Sequence, residues 1–226
     1  MSDLVAEQKR YYAERAPEYD DWWYRRGRYE LEADALARWQ ADVAEAEAAL
    51  DEFAPRGAVL ELAAGTGIWT RRLVRLADRV VAVDANPETL ALNTSAAQLV
   101  RADVFEWEPA ERFDLVFFSF WLSHVPPEGF AAFWRLVDDC LAPDGRIFLI
   151  DNLRSEALHR IDPEIPGEHD HGVIRRTADG REFRVWKVLF TPEEIQAKAA
   201  DLGFELQARS TGSFFLYASG GRATRP

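Results

Sequence analysis

Cysteine is almost absent from this sequence, and long apolar runs are missing altogether. The chain of 226 residues contains a single cysteine, Cys140, which excludes an internal disulfide framework and a zinc site built from several thiolates. No run of 18 apolar residues occurs, and the N-terminus is polar and charged. We therefore expect neither a membrane span nor a signal peptide, and a cytoplasmic location.

Positive charge is also scarce. The chain has 27 lysines and arginines against 39 aspartates and glutamates, for a net charge of -12. Proteins that bind nucleic acid present basic surfaces, so we expect no nucleic acid as partner, and the missing apolar run predicts no membrane partner. The length fits one α/β domain, and a hydrophobic content of 48% can fill a sheet covered on both faces. Monomer and homodimer both remain open.

The most informative stretch runs from Val59 to Thr70. Its first residues form a short apolar run, which predicts a buried strand. Gly65 and Gly67 follow, and then a helical pattern begins. A strand, a glycine turn and a helix in this order bring backbone N–H groups close to a ligand at the helix N-terminus. Glycine is needed there because a Cβ would obstruct the turn or the ligand.

A second strand ends in Asp84, about 20 residues after the glycine turn. This is the spacing expected for a carboxylate that binds ribose hydroxyls. A dinucleotide-binding site would favour a third glycine or alanine where Thr70 stands. That interpretation also makes less sense of Glu61, an acid inside the end of the first strand.

These residues resemble the first motif of the class I S-adenosylmethionine-dependent methyltransferases, which has an acid followed by a glycine-rich loop. Here it reads Glu61-Leu62-Ala63-Ala64-Gly65-Thr66-Gly67, with Ala63 in place of the first glycine. Asp84, Asp103 and the strand beginning near Asp114 follow in the family's order. The resemblance implies S-adenosylmethionine as cofactor, S-adenosylhomocysteine as product and no metal.

The resemblance also implies a set of cofactor-binding residues. The acid and loop of the first motif would hold the methionine portion, Asp84 the ribose, and Asp103 with the following backbone N–H the adenine. Main-chain carbonyls near the end of the central strand would take the amino group. The expected residues are Tyr11, Tyr19, Glu61, Ala63, Gly65, Thr66, Gly67, Asp84, Ala85, Asp103, Val104, Ser119 and Phe120.

The expected fold is α/β, with a Rossmann-like, doubly wound, seven-stranded and mostly parallel sheet that ends in an antiparallel terminal hairpin. We treat residues 1–226 as one methyltransferase domain. Its expected parts are a helical cap or lid (1–54), a cofactor-binding core (55–152), an acceptor-side insertion with a small β-hairpin (153–187), and a terminal helix and hairpin (188–226). Within these parts we expect a helix from the cap at Asn86 to about Ala97, and fraying from Gly220 onward.

The N-terminal segment, residues 3–24, is rich in tyrosine and tryptophan. In relatives of this kind such a segment folds over the cofactor as a lid, and aromatic side chains with polar tips suit that role. A helix packed permanently on the sheet is the alternative. The insertion is basic through Arg175, Arg176, Arg181, Arg184 and Lys187. A solvated hairpin edge explains these charges most simply, and attraction of an acidic acceptor is the second interpretation.

Two histidines are candidate catalytic bases. His124 follows the central strand at the edge where ligands bind in open parallel sheets, and an imidazole can take a proton near neutral pH. A packing role before Pro126 is the alternative. His171 of the insertion is the rival base. The pair His169 and His171 lacks further clustered ligands, so a loop or pocket wall is favoured over a metal site.

The sequence thus predicts a methyltransferase that acts on an O, N, S or C atom of a small-molecule acceptor. Two alternatives remain, an NAD(P)-dependent oxidoreductase and a non-catalytic protein that binds S-adenosylmethionine.

Overall fold

A seven-stranded sheet forms the centre of the protein in the computed structural model, which describes residues 3–162, 164 and 172–224. The strand order is β3-β2-β1-β4-β5-β9-β8. Strands β1 to β5 are parallel, and β9 is antiparallel to both of its neighbours. The strands are β1 Ala58–Leu62, β2 Arg79–Asp84, β3 Gln98–Arg101, β4 Phe113–Ser119, β5 Leu141–Asn152, β8 Phe204–Ser210 and β9 Phe215–Arg222.

Three helices precede the first strand, and the others lie between strands. The helices are α1 Asp3–Arg15, α2 Tyr19–Tyr24, α3 Ala33–Phe53, α4 Thr70–Leu76, α5 Pro87–Leu92, α6 Pro127–Cys140, α7 Glu156–Ile161 and α8 Pro192–Ala200. Single 3₁₀ turns at Ala16–Glu18, Gly27–Tyr29 and Leu122–His124 join some of them. The expected α/β fold with a mostly parallel sheet and an antiparallel terminal hairpin is confirmed.

The sheet is buried on both faces because its central strands are mostly apolar. Leu60, Val116 and Phe118 belong to one hydrophobic cluster, and Leu115 and Phe117 belong to the other. From β1 the chain continues outward through β2 to β3 at the edge of the sheet. It then returns to place β4 on the other side of β1. In parallel sheets ligands bind at such a reversal, beyond the carboxyl ends of the strands.

Helix α5 is shorter than expected, since it ends at Leu92 rather than near Ala97. Asn93 leaves the helical conformation, and its side chain turns inward to donate a hydrogen bond of 3.1 Å to the hydroxyl of Thr70. The C-terminal prediction was also wrong, because Gly220 and Gly221 pair with β5 and β8 instead of fraying. A short helix and a paired end both depend on contacts with distant residues.

The insertion folds as the expected hairpin, with β6 Gly172–Arg176 and β7 Glu182–Trp186 in a separate two-stranded sheet. Helix α1 packs against β7. Glu7 accepts a hydrogen bond of 2.7 Å from the backbone N–H of Arg184, and Gln8 accepts one of 3.0 Å from the N–H of Trp186. The N-terminal segment and the hairpin therefore form one cover over the carboxyl edge of the sheet. Within the described part of the chain, no helix has both the length and the apolar composition that a bilayer span requires.

Candidate active site

The glycine turn follows β1 as the sequence predicted. Gly65 and Gly67 have positive φ values of +55° and +84°, and no atom lies within 4 Å of the position that a Cβ on Gly65 would take. A Cβ on Gly67 would instead meet the side chain of Asn93. Ala63 also has a positive φ of +55°, so it occupies the first glycine position in a glycine-like conformation. The open side of Gly65 leaves the backbone accessible to a ligand.

Asp84 stands at the end of β2 with its carboxylate held beneath the turn. The backbone N–H groups of Gly65 and Asn86 each donate to it at 2.8 Å, and the Thr89 hydroxyl donates at 3.1 Å. Burial raises the pKa of Asp84, and these donors oppose the rise. The carboxylate is thereby fixed in direction, as a group that accepts hydrogen bonds from ribose hydroxyls must be.

Glu61 lies deeper than the sequence suggested. Its side chain is 1% exposed, and burial raises its pKa to about 8. Among the described residues, no hydrogen-bond partner reaches its Oε2. The residue borders neither of the two cavities described below, so it supports the glycine turn from inside the sheet.

Asp103 lies in the loop after β3, and its carboxylate pairs with Lys9 of α1. The backbone N–H of Phe105 also donates to it at 3.1 Å. Lys9 therefore pairs with the carboxylate that the resemblance assigns to adenine binding.

A cavity of about 80 Å³ runs along this edge of the sheet. It brings together nine of the predicted cofactor-binding residues: Tyr19, Ala63, Gly65, Asp84, Ala85, Asp103, Val104, Ser119 and Phe120. The predicted residues Tyr11, Glu61, Thr66 and Gly67 do not line it. Tyr11 lines a neighbouring cavity instead, and the Thr66 hydroxyl hydrogen-bonds to Asp20 of α2.

These features fit a nucleotide cofactor. The turn lets a ligand approach its backbone, an oriented carboxylate follows β2, and a second carboxylate follows β3. Comparison with known proteins identifies the family. Residues 59–145 match a family model described as a methyltransferase domain. The chain is 33% identical to DhpI in a complex with SAH, with 98% of each chain covered and a TM-score of 0.78.

The chain belongs to the class I S-adenosylmethionine-dependent methyltransferases. A second DhpI structure, a complex with SAM and HEP, is 35% identical over 100% of both chains, with a TM-score of 0.79. A Burkholderia thailandensis 1,6-didemethyltoxoflavin-N1-methyltransferase shares the fold at 19% identity, with 96% of this chain and 91% of that chain covered and a TM-score of 0.59. No curated protein matches the chain. Because the similar DhpI structures hold SAH and SAM, S-adenosylmethionine is the cofactor of this methyltransferase.

A second cavity, of about 360 Å³, adjoins the cofactor cavity, and its size is typical of a site for a small molecule. It lies between the N-terminal segment, the insertion and the end of β5. Four residues line both cavities: Tyr12, Tyr19, Phe120 and His124. These residues mark the boundary across which a methyl group would pass.

His124 is held at this boundary in one tautomer. Its Nδ1 lies 2.7 Å from the carbonyl oxygen of Trp186, which can only accept, so Nδ1 carries the hydrogen. Nε2 therefore accepts, and the Tyr12 hydroxyl donates to it at 2.7 Å. Burial, and next the positive charge of Lys187, hold the pKa of His124 well below its ordinary value. The imidazole is neutral at pH 7.

Lys187 is not part of a solvated hairpin edge, so that interpretation of the basic insertion was wrong for this residue. Its side chain is buried, with 4% of the residue exposed. Nζ donates to the Ser123 hydroxyl at 2.7 Å and to the Asn152 side-chain carbonyl at 2.9 Å, and it lies 3.8 Å from the Asp151 carboxylate. Burial lowers the pKa of Lys187 to about 8. Lys187 lines the second cavity.

The other basic residues of the insertion divide into two groups. Arg175 and Arg176 line the second cavity with Lys187, whereas Arg181 and Arg184 pair with Glu14 and Glu7 of α1. Three of the five basic residues thus line the cavity, and the other two pair with the helix that covers it.

The rival base His171 lies outside the described residues, as do His169 and Asp170. Within the described part of the chain, no group of three or more potential metal ligands is found. Arg15 and Arg25 also line the second cavity, and neither was predicted from the sequence as a site residue. The one available signal was the placing of Arg15 and Arg25 within an unusually aromatic segment.

Proposed function

We propose that this methyltransferase transfers a methyl group to an oxygen of a small anionic acceptor. The observation that carries the proposal is the charge of the second cavity, which we assign to the acceptor and call the acceptor cavity. Among the described residues it is lined by two carboxylates, Asp162 and Glu164, against six cationic side chains: Arg15, Arg25, Arg28, Arg175, Arg176 and Lys187. Such an excess on a chain of net charge -12 favours a negatively charged ligand. The presence of HEP beside SAM in the DhpI complex supports a small acceptor.

An anionic acceptor simplifies the chemistry required of the protein. S-adenosylmethionine supplies an activated methyl group when bound. An acceptor oxygen that already carries negative charge is a nucleophile, so no proton has to be removed. The chain then has to orient this oxygen toward the boundary between the cavities and keep water out. Tyr12, Tyr19 and Phe120 line that boundary and provide the enclosing walls.

In this proposal His124 orders the boundary instead of acting as a base. Its Nε2 lone pair is used by the Tyr12 hydroxyl at 2.7 Å, and its lowered pKa makes it a weak proton acceptor. Gln8 fixes the same region by donating to the backbone carbonyl of His124 at 3.2 Å. The tyrosine thereby gains a defined position, with its oxygen between the two cavities.

The test is an acceptor panel followed by mass spectrometry. HEP, small phosphonates and small carboxylates should be methylated in the presence of S-adenosylmethionine. Their neutral esters should react at least a hundredfold more slowly, since a buried cationic site left without its anion disfavours binding. Equal rates for anions and esters would contradict the charge assignment. Tight binding of S-adenosylhomocysteine without turnover of any acceptor would favour the non-catalytic alternative.

The role of His124 is tested separately with His124→Gln under saturating cofactor and an anionic acceptor. We expect less than a fivefold loss of turnover, because no proton is transferred. His159→Gln is the matched control, since this histidine on α7 bonds to the Ser155 carbonyl at 2.9 Å and lines neither cavity. A loss of about a hundredfold, the usual contribution of a general base, would instead restore the base role.

A further inference from the structure

One guanidinium of the N-terminal segment is buried in the acceptor cavity without a carboxylate beside it. Arg15, at the end of α1, is 8% exposed and lines the cavity. Its Cζ lies 5.1–5.9 Å from the ring centroids of Tyr11, Tyr19, Trp22 and Tyr29. Its Nε donates to the Tyr29 hydroxyl at 3.2 Å. Across residues 3–162, 164 and 172–224, no ion pair neutralises this charge.

Arg25, just after α2, is a second buried guanidinium of this cavity; the charge of Asp162 acts on it, but no ion pair joins the two among the described residues. It too is 8% exposed, and its Cζ lies 3.3 Å from the ring centroid of Trp39. Its Nε is buried and has no hydrogen-bond partner in the described part of the chain. Burial lowers the pKa of Arg25 to about 9, so the group remains charged at neutral pH. Two neighbouring segments of the cover therefore each contribute a buried cation to one cavity.

The remaining arginines of the cavity already have partners. Arg175 forms a bidentate pair with Asp162 at 2.7 and 2.9 Å, Arg176 pairs with Glu182 at 2.5 Å, and Arg28 pairs with Glu18 at 3.0 Å. Burial of a charge without a counter-ion is unfavourable, and aromatic rings recover only part of the lost hydration. An anionic ligand would supply the missing compensation at Arg15 and Arg25.

We propose that Arg15 and Arg25 bind the charged group of the acceptor, and that this contact fastens the N-terminal segment over both cavities. The inference rests on the proposed function. A guanidinium offers paired N–H donors that match the oxygens of a phosphonate, phosphate or carboxylate. Because both arginines belong to the cover, the same bonds that hold the acceptor also hold the cover closed. Tyr12 and Tyr19 of that cover line the cofactor cavity as well, so the acceptor should trap a cofactor that has bound before it.

The experiment measures the coupling between two ligands in the full chain. S-adenosylhomocysteine affinity is determined by calorimetry with and without methylphosphonate at constant ionic strength, and hydrogen exchange of residues 3–29 is followed in parallel. In the wild type, methylphosphonate should tighten S-adenosylhomocysteine binding at least fivefold and slow exchange across the segment. Its neutral dimethyl ester should do neither.

Arg15→Gln and Arg25→Gln should each reduce this coupling to less than twofold. Their affinity for S-adenosylhomocysteine alone should stay within threefold of the wild type, which also reports a preserved fold. Arg15→Lys should retain a part of the coupling, because it keeps the charge and loses the paired donors. Arg72→Gln on α4 is the matched control for charge, since Arg72 pairs with Glu47 and Asp51 and lines neither cavity.

The possible failures are distinct. Absence of S-adenosylhomocysteine binding by the wild type would overturn the proposed function itself. Normal S-adenosylhomocysteine binding that no anion tightens would overturn the fastening role and leave methyl transfer in place. Full coupling in both Gln variants would assign the anion to other cations of the cavity and overturn the roles of Arg15 and Arg25.

Discussion

The Glu61→Gln variant should become more stable relative to the wild type as the pH rises, because the wild type loses stability that the variant keeps. Glu61 is fully enclosed beneath the glycine turn, and Oε2 lacks a partner among the described residues. Burial is the main cause of its raised pKa, and the nearby charge of Asp84 adds to it, while a hydrogen bond with Thr70 opposes both. Glutamine has almost the same shape and never takes the charge.

The expected magnitude follows from proton binding. The pKa of Glu61 is about 8 in the folded state, against an ordinary value of 4.5. Between these two values the folded state holds a proton that the unfolded state has released. The contribution of this proton to stability is complete below the unfolded pKa and is lost as the pH rises through the folded pKa. The loss is about 1.4 kcal/mol per pH unit, so Glu61→Gln should gain about 3 kcal/mol on the wild type between pH 5.5 and 7.5.

The assay is urea unfolding followed by circular dichroism at several pH values in this window. The difference between variant and wild type matters, because other titrating groups contribute equally to both. Glu52→Gln is the control, since Glu52 is exposed near the end of α3, and its curve should run parallel to that of the wild type. A parallel curve for Glu61→Gln would refute the reasoning, because it would mean that the folded state does not retain the proton.

Three further predictions concern the cofactor, the backbone and the cover. Asp84→Ala should weaken S-adenosylhomocysteine binding at least tenfold in calorimetry, since hydrogen bonds to a charged group contribute about 1.5–3 kcal/mol; unchanged affinity would contradict the ribose assignment. Ala54→Gly should raise the free energy of unfolding by about 1 kcal/mol, because Ala54 ends α3 with a φ of +54°, which favours glycine. Ala41→Gly inside the same helix should lower it by about 1 kcal/mol, and the same sign for both would refute the argument. Hydrogen exchange of residues 3–24 should slow when S-adenosylhomocysteine binds, whereas equal protection with and without it would favour a permanently packed helix.

Local patterns were sufficient to predict the sheet and the cofactor edge. Apolar runs defined β1, β2 and β4, and the glycine turn with Asp84 defined where a nucleotide would lie. These features depend on residues close together in the chain, so their spacing carries the information. The end of α5 was predicted too far along the chain. The helix ends where the Asn93 side chain turns to reach Thr70, and the two residues are distant in sequence. A paired Gly220 likewise depends on β5 and β8.

The sequence by itself determined the fold family and the cofactor, because a short motif and a regular alternation of strands and helices carry the resemblance to the family. Only the tertiary structure decided the acceptor side. Lys187 reads as one more basic residue of a surface hairpin, and it becomes a buried ammonium because that hairpin packs onto the end of the sheet. Arg15 lies 160 residues before Arg175 in the chain, yet both line one cavity. Burial and pairing of charge arise from such distant contacts, so only the folded chain shows which cations are buried and which have an ion-pair partner.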